Sequence, residues 1–431
     1  MNRIILNPQQ DEWPELTTRP VINSSELEKK VSTIIADVKL HGDDAVRAYS
    51  NRFDGFAPEN LWVTVDEIIA AGLAIDSELK KAIITAKRNI EKFHEQQLQK
   101  AKKVETMPGV SCWRKSIAIE RVGLYIPGGT APLFSTLLML GIPARIAGCR
   151  EIIVATPPQT NGNVNEVVLF VAGLLGIDKI YKCGGAQAIA AMAYGTQMMD
   201  RVYKIFGPGN QYVTCAKKLV YADGVAIDML AGPSEVAIYA DETCVPKFVA
   251  ADLLSQAEHG ADSQVVLVAT DEKITREVMA EMQIQLQNLE RKDIIEKSLV
   301  NARFVVFENK KTAFDFLNMY APEHLIIASK NANSLGRYVV NAGSVFLGNY
   351  SPESAGDYAS GTNHSLPTNG TAMVSGGVSV DSFVKKVTFQ KISKKGIANI
   401  GNVIEQMAAA EGLQAHKNAV SIRLKKDNST S

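Results

Sequence analysis

VGLYIPGG, at residues 122–129, is a run of apolar residues that ends in a turn of proline and glycine. Three more apolar runs of strand length end in the same way, and helical stretches rich in alanine and leucine separate them. Strands that alternate with helices in this manner predict a parallel sheet, with ligands at the carboxyl ends of the strands. The three runs lie at 152–155, 179–183 and 202–205, and their turns are TPP (156–158), GGAQ (184–187) and GPGN (207–210).

A second series of the same kind follows the first. Helical periodicity dominates the first hundred residues and returns after residue 377, whereas the stretch 100–111 has no clear period and is predicted to link two units. We therefore predict an α/β protein with two parallel-sheet units and smaller helical parts at its ends. The apolar runs of the second series lie at 236–240, 265–270, 304–307 and 324–327.

The composition favours a globular protein that acts on a small molecule. The 431 residues include 46 basic and 46 acidic ones, so the sequence has no basic excess of the kind that nucleic-acid-binding proteins carry. The N-terminus does not resemble a signal peptide, and the longest apolar stretch is far shorter than the roughly 20 residues that cross a bilayer. Five cysteines without a CxxC pair are typical of a reducing compartment. We expect a cytoplasmic protein without nucleic-acid or membrane partners.

Two short motifs contain groups that could bind a metal ion or transfer protons. Gln256 and His259 lie three residues apart near the end of a predicted helix, so both could bind one metal ion; a histidine that only caps the helix is the alternative. Glu323 and His324 follow Pro322 at the start of a predicted strand. They could activate water and shuttle protons, or they could form only an ion pair at the strand edge.

Further candidates lie in a polar loop and near the C-terminus. The loop at 351–364 includes Asp357 and His364, and long loops of this kind usually carry function, although a solvated surface loop is the alternative. Asp357 and His416 would complete a set of four nitrogen and oxygen ligands that suits zinc, with manganese or cobalt as alternatives. The four residues are Gln256, His259, Asp357 and His416.

The evidence for a dinucleotide is weaker, because the chain contains no GxGxxG motif. The glycine-rich turns after the strands could still present backbone N–H groups to a diphosphate. The turn AGPSE at 231–235 includes Ser234 as a polar group that could face a substrate. Close packing of helices is the alternative explanation for these glycines.

Taken in order from about residue 20 to 423, the motifs of the chain resemble those of bacterial histidinol dehydrogenases. The resemblance implies two incomplete Rossmann-like parallel-sheet domains with small helical N- and C-terminal domains. The strings that carry it are VGLYIPGG (122–129), APLFST (131–136), GGAQAIAA (184–191), IFGPGN (205–210), AGPSEV (231–236), DLLSQAEHG (252–260), PEHL (322–325), AGSVFLG (342–348), SPESAGDYASGTNH (351–364) and AHKNAV (415–420). The predicted bounds are an N-terminal arm (1–22), a first α/β domain (23–110 with 236–376), a second α/β domain on the NAD side (111–235) and a C-terminal helical dimerisation domain (377–431).

The resemblance also implies roles for individual residues. By this resemblance, Glu323 and His324 are the catalytic residues, and NAD would be bound by Tyr125, Gln187 and Asn210. One zinc ion per subunit would be bound by Gln256, His259, Asp357 and His416. The substrate would contact Ser234 and Glu411, together with His324 and the four zinc ligands. Glu411 and His416 would come from the partner subunit of a homodimer. His364 lies within a motif and receives no role.

The implied activity is the oxidation of L-histidinol through L-histidinal to L-histidine, the last step of histidine biosynthesis, with two NAD reduced. His324 would be the general base, Glu323 would activate the water that hydrates the aldehyde, and zinc would position the substrate. A thiohemiacetal on Cys112 or Cys149 is an alternative for the second oxidation, although neither thiol has a histidine or a cationic helix start beside it in sequence.

Two other classes of function compete with a dehydrogenase. A zinc hydrolase could use Glu323 as its base, but the glycine-rich turns after the strands would then have no purpose. A metal-binding dimer without activity would not need an intact Glu323 and His324.

Overall fold

The computed structural model describes residues 3–19, 25–56, 59–128, 133–229 and 232–425. The chain divides into two units. Unit 1 comprises Met1–Gln97 and Ile119–Phe383, and unit 2 comprises Leu98–Ala118 and Val384–Ser431. Residues 1–2 and 20–22 of the predicted arm, and parts of three motifs at 129, 131–132 and 231, lie outside the described residues.

The strands are β1 (Ile4–Leu6), β2 (Val104–Met107), β3 (Val110–Ala118), β4 (Arg121–Tyr125), β5 (Glu151–Thr156), β6 (Lys179–Lys182), β7 (Lys204–Phe206), β8 (Ala226–Ile227), β9 (Glu235–Ala240), β10 (Gln264–Ala269), β11 (Arg303–Val306), β12 (His324–Ala328), β13 (Ser344–Leu347) and β14 (Val384–Ile392). The α-helices are α1 (Trp13–Leu16), α2 (Ser25–His41), α3 (Asp43–Asp54), α4 (Val65–Ala74), α5 (Ser77–Glu95), α6 (Phe134–Ala147), α7 (Glu166–Leu174), α8 (Gly185–Tyr194), α9 (Gln211–Ala222), α10 (Pro246–Ala257), α11 (Glu272–Leu286), α12 (Lys292–Leu299), α13 (Lys310–Tyr320), α14 (Ala332–Leu335), α15 (Glu353–Tyr358), α16 (Lys394–Ala410) and α17 (Gln414–Leu424).

Unit 1 contains two parallel sheets, here called the first and the second sheet. The first sheet has the strand order β1-β11-β10-β9-β12-β13, and the second has the order β6-β5-β4-β7-β8. Strands β9 and β10 are buried at every position, because helices cover both faces of the sheet. Alternate residues enter different hydrophobic clusters: Ile238 and Leu267 on one face, Tyr239 and Val268 on the other. The predicted α/β class with parallel sheets is confirmed.

Unit 2 differs from its predicted helical character. An antiparallel sheet of order β14-β3-β2 accompanies helices α16 and α17. The stretch 100–111, predicted to be a link, contains β2 and the start of β3, and the predicted helical segment 377–431 contains β14. The pairing runs from Val384↔Ala118 to Ile392↔Val110, so its two strands lie far apart in the sequence and no local pattern could reveal it. The predicted domain bounds stay predictions.

The sequence predicts no membrane partner, and the length and polarity of the helices bear on this prediction. Within the described ranges, no helix is both long enough and apolar enough to cross a bilayer.

Candidate active site

The predicted catalytic pair lies at the start of β12, where both side chains are buried. Glu323 is 5% exposed and His324 is 4% exposed. The backbone of Glu235, the first residue of the neighbouring strand β9, contacts both of them: its N–H donates to Glu323 Oε2 at 3.0 Å, and its carbonyl oxygen lies 3.2 Å from His324 Nδ1. One strand end therefore orients both side chains.

This contact assigns the tautomer of His324. A carbonyl oxygen can only accept a hydrogen bond, so Nδ1 carries the proton and Nε2 carries the lone pair. Nε2 is buried, has no hydrogen-bond partner within the described part of the chain, and lies 3.7 Å from Asp357 Oδ1. Burial lowers the pKa of His324 to about 3, against the opposing effect of the bond to Glu235. The imidazole is therefore neutral at pH 7, with a free lone pair that can accept a proton.

The neighbouring carboxyl group responds to the same burial in the opposite direction. Burial raises the pKa of Glu323 well above its usual range, while the N–H of Glu235 lowers it and the charges of Glu235 and Asp357 raise it further. The ionised form that a base requires is thus disfavoured in the isolated chain. A cation near this carboxyl would lower its pKa again.

The predicted metal donors of unit 1 come from two helix ends. Gln256 lies in the last turn of α10 and His259 follows two residues after its end, whereas Asp357 belongs to α15. Glu353, one turn before Asp357 on the same helix, was missed in the sequence analysis. One ligand atom from each of His259, Glu353 and Asp357 lies within 4.8 Å of the others. The four-residue spacing of the two acids on α15 was the signal that could have found it.

Unsatisfied polar atoms show that these residues fit a cation. Gln256 and Glu353 are fully buried, and neither the amide atoms of the one nor the carboxylate oxygens of the other have a hydrogen-bond partner among the residues described. Burial also raises the pKa of Asp357 to about 7. Polar groups of this kind are costly to bury unless something binds them. A divalent cation between α10 and α15 would satisfy them, and amide, imidazole and carboxylate donors suit zinc.

A cavity of about 990 Å³ lies at the carboxyl ends of the second sheet. It is lined by all three residues predicted to contact NAD: Tyr125 ends β4, Gln187 lies in the first turn of α8, and Asn210 caps the N-terminus of α9. The backbone N–H of Gly185 donates to the hydroxyl oxygen of Tyr125 at 3.1 Å. The volume is at the upper end of the range for small-molecule sites, so a ligand the size of a dinucleotide can be accommodated.

A glycine at the end of β7 gives this cavity part of its shape. Gly207 has a φ of +125°, and a Cβ atom there would lie 2.1 Å from the carbonyl oxygen of Tyr125. The GPGN turn therefore packs directly on the end of β4, which only glycine permits. The N–H of Gly207 donates to Asp228 Oδ2 at 2.8 Å, and Nζ of the buried Lys217 donates to the carbonyl oxygen of Gly207 at 2.9 Å.

The two sheets place their candidate residues at opposite strand ends. The cavity lies at the carboxyl ends of the second sheet, as predicted. In the first sheet, Glu235 and His324 instead begin their strands. Helix α10 runs back from β9 to β10, so its C-terminal end reaches the amino edge of the sheet, where Gln256 and His259 join the pair. The candidate residues of this sheet therefore lie at its amino edge, whereas the alternation of strands and helices predicts ligands at the carboxyl ends.

Comparison with known proteins gives the family. The model of the histidinol dehydrogenase family matches residues 17–424. The chain belongs to this family. The histidinol dehydrogenase of Bacteroides thetaiotaomicron is 57% identical over 424 residues, which are 98% of this chain and 99% of the relative. That of Campylobacter jejuni is 49% identical over 421 residues, 97% of each chain. The crystal structure of histidinol dehydrogenase from Elizabethkingia anophelis matches with a TM-score of 0.97 and 53% identity, covering 99% of both chains.

The remaining candidate residues of this histidinol dehydrogenase family member lie partly in unit 1 and partly in unit 2. Ser234 is partly buried and directly precedes Glu235, the first residue of β9. Glu411 and His416 belong to unit 2, at the end of α16 and within α17, and both are exposed. His364 contacts the carbonyl oxygen of Asp357 at 3.0 Å and Thr136 Oγ1 at 3.3 Å, so it ties the loop at 351–364 to α6.

The thiol alternative for this family member loses support in the structure. Cys149 is buried, and burial raises the pKa of its thiol to about 11. A thiolate is the nucleophilic form, so Cys149 is poorly suited to a thiohemiacetal. Cys112 lies on β3 in unit 2.

Proposed function

We propose that the protein oxidises L-histidinol through L-histidinal to L-histidine, reducing two NAD in the last step of histidine biosynthesis. One observation carries the proposal: a neutral, buried imidazole with a free Nε2 faces a cluster of unsatisfied metal donors, in a chain of the histidinol dehydrogenase family. The dinucleotide-sized cavity of the same unit supports it.

His324 removes the hydroxyl proton in the first oxidation. Its Nε2 takes the proton while a hydride leaves the adjacent carbon, and the carbonyl oxygen of Glu235 stabilises the protonated ring through Nδ1–H. NAD, when bound, supplies the hydride acceptor. Tyr125, Gln187 and Asn210 would bind it, since all three line the cavity at the carboxyl ends of the second sheet.

Glu323 acts in the second oxidation. An aldehyde has no hydride to give until water adds to it, and Glu323 takes the proton of that water. His324 then removes the proton of the resulting gem-diol as in the first step. Both groups lie at the same strand end, with His324 Nδ1 3.7 Å from Glu323 Oε2.

A zinc ion would be held by Gln256, His259 and Asp357, and by His416 of the partner subunit. Zinc, when bound, supplies positive charge that orients the amine and imidazole nitrogens of the substrate. Glu323 lies in the same buried region, so its carboxylate form becomes more accessible there. Ser234, and Glu411 of the partner subunit, would complete the contacts with the substrate.

We further propose that the enzyme is a cytoplasmic homodimer with its active sites shared between subunits. The observation in support is that Glu411 and His416 are exposed in unit 2, whereas the other donors belong to unit 1. An exposed histidine that ligates a metal of its partner would be covered in the assembly.

The test is the number of NADH produced per L-histidine formed. Purified protein is given L-histidinol and NAD, with and without a chelator, and both products are quantified. Two NADH per histidine, lost with the chelator and restored by zinc, is the expected result. One NADH, with the aldehyde as product, would remove the role of Glu323. No NADH from folded, zinc-loaded protein would overturn the proposed activity.

A further inference from the structure

The side chain of Glu235 is held on two sides by groups other than the two proposed catalytic residues. It is 1% exposed. Its Oε2 receives a hydrogen bond from Arg19 Nε at 2.7 Å, and its Oε1 receives one from the backbone N–H of Asn369. A buried carboxylate that is satisfied at both oxygens has little freedom to move, so these contacts fix the position of the residue.

Arg19 is itself anchored, and it comes from the N-terminal arm. Its Nη2 donates to the carbonyl oxygen of Tyr320 at 2.6 Å, and its guanidinium lies 4.2 Å from the centre of the Tyr320 ring. The side chain is only 14% exposed. The guanidinium of Arg19 is therefore a rigidly held cation that the N-terminal arm positions at the amino edge of the first sheet.

The backbone of the same glutamate controls the two proposed catalytic groups. Its N–H binds Glu323, and its carbonyl oxygen binds Nδ1 of His324. Hydrogen bonds weaken steeply when their angle departs from linearity, so a small shift of this strand end would loosen both. Without an acceptor at Nδ1, the imidazole can carry its proton on Nε2, and then no lone pair faces the site.

We propose that the ion pair between Arg19 and Glu235 is a positioning device that sets the tautomer of His324 and the orientation of Glu323. Neither residue of the pair reacts with substrate; both orient the two groups through the backbone of Glu235, and the charge of Glu235 acts on Glu323 in addition. The inference rests on the proposed function for the role of the catalytic pair, but the tautomer itself can be observed without turnover.

The first test is kinetic and uses Glu235→Gln and Arg19→Met. We expect kcat to fall at least about tenfold, as for other residues that orient a reacting group, with KM for NAD within about twofold and zinc content unchanged. Arg19→Lys should recover part of kcat, because it restores the charge without the planar fork. Full activity of Glu235→Gln would overturn the proposal. So would a loss fully explained by unfolding or lost zinc.

A matched control separates positioning from stability. Arg121 Nε and Glu151 Oε2 form an ion pair of 2.9 Å at the amino edge of the second sheet, away from the cavity. Glu151→Gln should lower the unfolding temperature and leave kcat within about twofold of the wild type. An equal loss of kcat in this control would make the effect of Glu235→Gln a general one and overturn the proposal.

The second test reports on the ring directly. In protein labelled with ¹⁵N at histidine, the His324 signals are assigned by their loss in His324→Asn. The wild type should show a protonated Nδ1 and an unprotonated Nε2, and Glu235→Gln should shift the population toward a protonated Nε2. An unchanged tautomer in Glu235→Gln would overturn the inference even if the enzyme is active. A changed tautomer would support it even if the protein reduced no NAD, which would count against the proposed function alone.

Discussion

At the start of β12, one buried environment has opposite consequences for two neighbouring side chains. Burial favours the neutral form of His324, the form that can accept a proton, and it favours the protonated form of Glu323, the form that cannot. The two proposed steps therefore depend differently on the cation that the donor cluster would hold. Removal of the metal should harm the hydration step through Glu323, in addition to any loss of substrate binding.

Substitution of Glu323 should separate the two oxidations. With Glu323→Gln, the first NADH should still form, while the second should slow by about 100-fold or more because no base activates the water. Stopped-flow absorbance of NADH, followed by trapping of the aldehyde with semicarbazide, measures both. His324→Gln should lose both steps. Equal slowing of the two steps in Glu323→Gln would contradict the assignment.

Glu353 is the residue whose role is best tested by metal retention. Its two buried oxygens have no partner in the described part of the chain, and they lie in the donor cluster. Glu353→Gln should weaken zinc binding by about 10–100-fold, measured by competition with a chromophoric chelator. Glu258→Gln, at the end of α10 but outside the cluster, is the control. If both variants lost zinc equally, the effect would be one of general charge.

Asp54 makes a pH-dependent contribution to stability. Burial raises its pKa to about 6, so the folded chain binds its proton more tightly than the unfolded chain does. Stability should therefore fall as the pH rises from about 4 through about 6, and the loss should be complete by about pH 7. Asp54→Asn should raise the unfolding temperature by roughly 1–2 °C at pH 8 and leave it unchanged at pH 4. A gain of equal size at both pH values would exclude ionisation as its cause.

Among single residues, the sequence identified the candidates whose chemistry is unusual for their surroundings, such as His259, His324 and Asp357. It missed Glu353 and the role of Glu235. An acid in a polar loop looks solvated until the fold shows that it is fully buried, and a backbone contact leaves no trace in the identity of a residue.

At the scale of secondary structure, the strands of unit 1 were predictable because buried parallel strands are short apolar runs that end in glycine or proline. The strand edge at which each site lies was predictable only for the second sheet. In the first sheet, the site forms where helix ends and strand starts meet. Its location depends on how α10 and α15 pack, which periodicity along the chain does not encode.

The contribution of the turn after β7 to NAD binding can be tested by adding one methyl group at Gly207. Gly207→Ala should raise KM for NAD by about tenfold or more, since the new Cβ would collide with the carbonyl oxygen of Tyr125 and displace Asn210. Initial rates at varied NAD give the value. Gly224→Ala is the control, because its φ of +90° is also strained but a Cβ atom there meets nothing within 4 Å. A similar KM change in both would attribute the effect to strain alone.

At the scale of the whole molecule, shared active sites can be tested by subunit mixing. His416→Ala and His324→Ala homodimers should both be inactive. In a mixed dimer, one site combines an intact His324 with an intact His416 of the other chain, and the second site lacks both. Random reassociation should therefore restore about one quarter of the wild-type activity. No recovery, despite mixed dimers detected by mass spectrometry, would mean that each site is built from one chain.

The whole-molecule organisation was the least accessible to sequence reasoning. The two α/β series gave the class of the fold. The pairing of β14 with β3 joins residues more than 260 positions apart, and lysines on β14 obscure its alternation with apolar residues. Long-range pairing of this kind depends on the whole chain and not on any local window.

Helix α15 has only six residues, and loops precede and follow it. A cation bound between α10 and α15 would cross-link these two helix ends, as a covalent staple would. Chelation would remove this cross-link, and the loop at 351–364 would loosen while the sheets stay intact. The apo enzyme would then exchange the amide hydrogens of this loop quickly with deuterium, and a protease would nick it there. Proteases would thus degrade the metal-free protein under conditions in which its sheets are still folded.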